Sequence, residues 1–171
     1  VGAHRAVVGA LARIGRVLAE HGVTVRPLGT DDVLDAATEA ADADAAPGAR
    51  LREHWRAVVV GEVGHAAYAV TGWPAGRPLE PLTALTATSG RTCTLALTLE
   101  PDAHADPAPD AARASVGLRG TVRLTADTPD ALVTAGAELV ARAQAIGVAL
   151  DPLAGQHAAG LAATLPLGVA P

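Results

Sequence analysis

Phenylalanine, methionine and lysine are absent from this sequence, and two tryptophans and one tyrosine are its only aromatic residues. An interior without aromatic fillers has to be built from Ala, Val and Leu. Those side chains bury less area each, so helices and sheet must approach closely. Half of the 171 residues are hydrophobic all the same, enough for one domain with a real core. One cysteine, Cys93, excludes an internal disulfide framework and fits a reducing compartment. All 13 basic residues are arginine, against 18 acidic ones, for a net charge of −5. They form no clustered basic field of the kind a nucleic-acid surface needs. Val1 is not followed by an apolar signal segment. The uncharged run from Ala158 to Pro171 falls short of the ~20 residues of a membrane span and is interrupted by Pro166. A chain that starts at Val1 and lacks Met is expected to be a piece of a longer product, in which an N-terminal anchor would not be visible.

What is present reads as a mixed α/β chain. Val7, Val8, Leu11, Ile14 and Leu18 have helical spacing, with Arg5, Arg13, Arg16 and Glu20 on the other side, and Gly22 as a stop. Val23–Arg26 reads as a short strand, followed by a helix capped by Thr30 and led by Asp31 and Asp32. Residues 42–49 read as a loop. Residues 55–60 and 65–71 read as a hairpin around G61-E-V-G64, ended by Gly72-Trp-Pro74. A short helix is expected over 79–88. From Thr92 to Leu99 apolar and polar residues alternate, with Cys93, Leu95, Leu97 and Leu99 on one face. The Pro- and Asp-rich stretch 100–111 reads as a flexible loop, and 116–125 as the returning strand. Thr128 and Pro129 open a long helix over 129–146, ended by Gly147. A strand at 148–150 and a last helix at about 155–164 follow.

The phrase G22-V-T-V-R-P-L28 is echoed by G147-V-A-L-D-P-L153, each flanked by helices. This suggests two related αβα units with hairpins between them. The expected fold is a mixed sheet with β-hairpins packed by helices, with possible internal duplication, in a single domain over 1–171.

Catalytic patterns are sparse. The six histidines show no i, i+4 helical or i, i+2 strand pairing. Asp42-Ala-Asp44 has an Asp-x-Asp spacing but follows a helix in an Ala/Asp-rich tail, where composition alone writes such triplets. Asp102, His104 and Asp106 fall in the long loop. Cys93 lies on an apolar strand face, as a buried inert thiol does. Ser89 and Ser115 lack a nucleophile elbow. Neither G61-E-V-G64 nor G117-L-R-G120 completes a phosphate loop. No catalytic residue, cofactor or metal is therefore assigned. Trp55, Tyr68 and Trp73 are either core packing at the hairpin ends or anchors for a partner protein. The corner of Trp73, Pro74 and Arg77 is the candidate interface.

Several phrases resemble the EccE family, a membrane component of the type VII (ESX) secretion system of actinobacteria. They are W55-R-A-V-V-V-G61, H65-A-A-Y-A-V-T-G-W-P74, T94-L-A-L-T-L99, V116-G-L-R-G-T-V-R-L-T-A126 and the closing G155-Q-H-A-A-G-L-A-A-T-L-P-L-G168. The resemblance extends over about residues 1–168, and the closing phrase is its most specific part. His157 departs from the pattern, standing where a second Gln is expected.

The resemblance implies a structural, non-enzymatic cytosolic domain at the inner face of the plasma membrane. It implies partners in EccB, EccC and EccD, and an anchor through N-terminal transmembrane helices. The alternative is a small transferase-like or ligand-binding α/β enzyme with its ligand beside the strand ends.

Overall fold

In the computed structural model, two helices end in the same way. Gly22 follows α1 (Gly2–Glu20) and Gly147 follows α4 (Pro129–Ala145), each with left-handed backbone, φ 75° and 78°. Behind them Val23 N–H donates to Leu18 C=O at 2.9 Å, and Val148 N–H to Ala143 C=O at 2.8 Å. Both are Schellman caps, which consume the last helical carbonyls and need a residue without a Cβ penalty at the turn. The sequence echo is thus matched at the caps, but among the described residues it does not extend to the strand. After Gly147 the chain forms strand β6 (Ala149–Pro152). After Gly22, Val23–Val25 forms no strand, because no neighbouring strand is paired with it; Arg26 lies outside the described residues.

The structure describes residues 2–25, 29–41, 50–74, 82–87, 90–101 and 116–166. They divide into two compact units, Val1–Leu34 and Asp35–Pro171. The first holds α1 and the first turn of α2 (Thr30–Ala40). Thr30 is the first helical residue rather than the cap. Asp32 instead accepts from Gly29 N–H at 3.1 Å, closing the helix start from inside its first turn.

The second unit is built on a six-stranded sheet of order β1-β2-β3-β5-β4, with β6 also on β3. Its strands are β1 (Leu51–His54), β2 (Ala57–Val60), β3 (Val63–Gly72), β4 (Thr92–Pro101), β5 (Val116–Ala126) and β6. Every pairing among the described strands is antiparallel. Thus the fold is mixed α/β, as expected. The expected strand at 55–60 is divided: Trp55 and Arg56 are a turn, preceded by β1. Gly61 and Glu62 make the next turn, with Gly61 at φ 63°. The side of β3 away from β5 is shared. β2 pairs with its first residues, through His65, and β6 with Tyr68 onward.

Both sheet faces are covered. On one, α4 buries Leu132, Ala135, Gly136, Leu139 and Ala143 against Ala66, Val122 and Leu124. Those five have the spacing of a core-facing stripe. Thr128 caps α4, its Oγ1 accepting from Ala131 N–H at 3.2 Å, and Pro129 fills the first turn, where its missing N–H costs nothing. The short helix α3 (Thr83–Thr86) adds buried Leu85; the rest of the helix expected over 79–88 gains no support from the residues described. On the same face Cys93 and Leu95 of β4 pack on the core, whereas Leu97 and Leu99 are exposed. On the other face lies α5 (His157–Thr164), held so close that a Cβ on Gly160 would collide with that of Ala67. Beneath it the sheet is polar, with His65, Thr121, Arg123 and Thr125 all buried.

Candidate functional site

A cleft of about 1150 Å³ opens beside α4. Its floor follows from strand register. Gly64, Ala66 and Tyr68 alternate along β3, and Ala57 and Val59 face the same way on β2. The wall is the flank of α4 next to its buried stripe, through Val133, Ala137, Val140 and Ala141. Val133 stands exposed. The lining is mostly apolar, with His54, Arg56, Glu62 and Asp127 among its charged or polar members. Tyr68 crosses the floor toward the helix. A Cβ on Gly136 would stand 2.5 Å from its hydroxyl oxygen, so Gly136 lets the ring reach under α4. Burial raises the Tyr68 hydroxyl pKa above its ordinary value.

Trp55 stands at the mouth, 71% exposed. Its backbone is fixed from the far end of the chain. The Trp55 carbonyl accepts from Gly155 N–H at 3.0 Å and from His157 Nε2–H at 3.1 Å. Gly155 has φ 68°, and a Cβ there would stand 3.3 Å from the indole. The Glu53 carboxylate in turn accepts from Ala158 N–H at 2.9 Å, at the start of α5, where an anion is favoured.

His157 also closes a gap in the sheet. At Ala67 the pairing along β3 changes from β2 to β6, leaving a buried N–H and C=O without a strand partner on that side. His157 Nδ1 accepts from Ala67 N–H at 3.1 Å, and Leu153 N–H donates to Ala67 C=O at 2.9 Å. Buried main-chain groups need such partners. The two bonds fix the tautomer, with the proton on Nε2. The phrase G155-Q-H is therefore a strap that ties the β1–β2 turn, the junction in β3 and α5 together.

The His65 Nδ1 lies 3.2 Å from Thr125 Oγ1. Burial, reinforced by the charge of Arg123, pulls its pKa down to about 4, so it is neutral at physiological pH. Arg123 donates to Ala40 C=O in α2 and to Thr94 Oγ1. The Cys93 thiol donates to Leu85 C=O at 3.3 Å. Burial pushes its pKa up to about 11, against a smaller opposing pull from Arg142 and Arg123, so the nucleophilic thiolate is scarce. Among the described residues no three His, Cys, Asp or Glu side chains converge as a metal site. Asp42, Asp44, Ser89, Asp102, His104, Asp106 and Ser115 lie outside the described residues.

Of the corner singled out in the sequence, Trp73 and Pro74 are half-buried and Arg77 lies outside the described residues. The Trp73 ring covers Gly120, where a Cβ would come within 2.7 Å of it, and its Nε1–H donates to Leu118 C=O at 3.1 Å. The structure thus separates the three aromatics: Trp55 and Tyr68 line the cleft, and Trp73 does not. Sequence reasoning missed the cleft. A signal was available in α4, whose apolar residues extend beyond the stripe that one buried face requires.

Residues 1–70 match a family model described as EccE, "Putative type VII ESX secretion system translocon, EccE". The matched span runs from α1 into β3 and includes Trp55, His65 and Tyr68. It does not reach T94-L-A-L-T-L99, V116–A126 or the closing G155–G168, so those phrases carry the resemblance without support from the match. No curated protein and no solved structure matches the chain. No described helix is long and apolar enough to cross a membrane.

Proposed function

We propose that this chain is the cytosolic, non-catalytic domain of a type VII secretion subunit, working by contact with neighbouring subunits of an inner-membrane complex. The observation that carries the reading is the EccE match over residues 1–70. The proposed partners are EccB, EccC and EccD, and the full-length protein is proposed to be anchored by helices preceding this segment. The proposed main contact surface is the apolar cleft, because it presents an exposed tryptophan beside a concave apolar floor. Tryptophan and tyrosine dominate the energetics of protein interfaces. The corner of Trp73, Pro74 and Arg77 is proposed as a second contact.

The test is co-purification of tagged full-length protein from native membranes in mild detergent. A large complex containing an FtsK-like ATPase is the expected result. A protein that runs alone would overturn the reading and favour a ligand-binding role, to be pursued by thermal-shift screening. Trp55→Ala is expected to deplete partners from the complex without lowering Tm appreciably, since most of the ring is in solvent. Charge reversal by Arg77→Glu probes the second contact without removing the packing of Trp73 on Gly120.

A further inference from the structure

Helix α1 carries an apolar stripe in contact with solvent. Val8, Leu11, Ile14 and Val17 are each more than half exposed. With about 100° of rotation per residue, Val8, Leu11, Ile14 and Val17 spread over about half of the helix circumference, with the half-buried Leu18 between them. Arg5, Arg13, Arg16 and Glu20 gather on the opposite side. These charges do not serve the helix itself. No acidic residue occupies the first turn and no basic residue the last, while Arg5 stands near the N-terminus and Glu20 at the C-terminus, against the macrodipole at both ends. They also run against the chain. Residues 2–20 contain three arginines and one acidic residue, in a protein of net charge −5.

We infer that α1 lies flat on an anionic lipid surface, with Val8, Leu11, Ile14 and Val17 at the boundary of headgroups and acyl chains. A helix with a wide apolar arc, a basic polar side and modest overall hydrophobicity is suited to that position. The three arginines stay within about one Debye length of the headgroups, because the helix is only ~10–12 Å across. The charge decides for lipid over an apolar protein groove, which would require the stripe but not the arginines. This inference deepens the proposed membrane setting, but it stands on α1 alone.

The test uses the whole chain, sedimented with vesicles of phosphatidylcholine alone or mixed with phosphatidylglycerol. Salt-sensitive sedimentation with the anionic vesicles only is expected. Replacing Arg5, Arg13 and Arg16 together by Gln should lower partitioning at least about tenfold, and replacing them by Lys should preserve it. Leu11→Glu with Ile14→Glu should abolish binding, with an unchanged thermal transition of the Asp35–Pro171 unit as the folding control. Failure to bind anionic vesicles would overturn the inference, as would binding that is indifferent to these substitutions. Loss of subunits from the native complex in the Leu11/Ile14 variant, with vesicle binding intact, would assign the stripe to a protein instead. Co-purification reads the proposed partners separately, so either idea can fail alone.

Discussion

At the scale of single residues, two buried histidines do different work. His65 is neutral because burial and Arg123 make its charged form costly. Its pKa in the fold, about 4, lies below the ~6.5 of an unfolded chain. Above about pH 6.5 both states carry the neutral ring and the residue adds no pH dependence. As pH falls toward 4 the unfolded state takes up a proton that the fold refuses, and stability drops by up to about 3 kcal/mol. Urea unfolding at a series of pH values should show this slope, and His65→Gln should flatten it. His157 acts through geometry. Its ring accepts from Ala67 and donates to Trp55, and a glutamine side chain carries the same pair of groups. His157→Gln is therefore expected to be tolerated, while His157→Leu should cost about 1–3 kcal/mol by stranding buried main-chain groups. Equal losses in the two variants would show that ring shape, not hydrogen bonding, is what matters.

At the scale of elements, α4 and β3 are fitted to each other by one glycine and one hydroxyl. Gly136→Ala should destabilise the domain by roughly 1–3 kcal/mol through overpacking, and Tyr68→Phe in the same chain should restore part of the loss. A double variant no more stable than Gly136→Ala alone would place the strain elsewhere. The elements legible in the sequence were those with a local signal. α4 has Thr128-Pro129 at one end and Gly147 at the other; β4 and β5 alternate; α5 stops before Pro166. Less legible was β1, because Leu-Arg-Glu-His has neither alternation nor a turn residue after it, and Trp55-Arg56 contains no Gly, Asn, Asp or Pro to mark a turn. Val23–Val25 shows the reverse error. Its residues favour a strand, but a strand exists only by pairing, and pairing depends on distant chain. The cleft was illegible for the same reason: its wall and its floor are some seventy residues apart in sequence. The Trp73 corner was visible from its Trp-Pro pair, but the ring's packing on Gly120 depends on register across the sheet.

At the scale of the whole molecule, the boundary between the units falls inside α2, and this has a testable consequence. Ala37 and Ala41 are buried in the second unit, and Ala40 supplies a carbonyl to Arg123. A chain beginning at Gly29 should keep a cooperative thermal transition, whereas one beginning at Arg50 should lose much of it. Similar melting of both chains would mean that the end of α2 is dispensable. The strap from Gly155 to Ala158 bears on the order of events during synthesis. The turn at Trp55 leaves the ribosome about a hundred residues before the groups that lock it, and at ordinary elongation rates that is a delay of about 5–20 s. Throughout that interval the β1–β2 hairpin and the bare N–H of Ala67 are complete in sequence but open in structure. Translation thus holds the nascent sheet unlatched until the strap has been made, and a chain stalled or terminated before Gly155 would offer chaperones and proteases an unfinished edge.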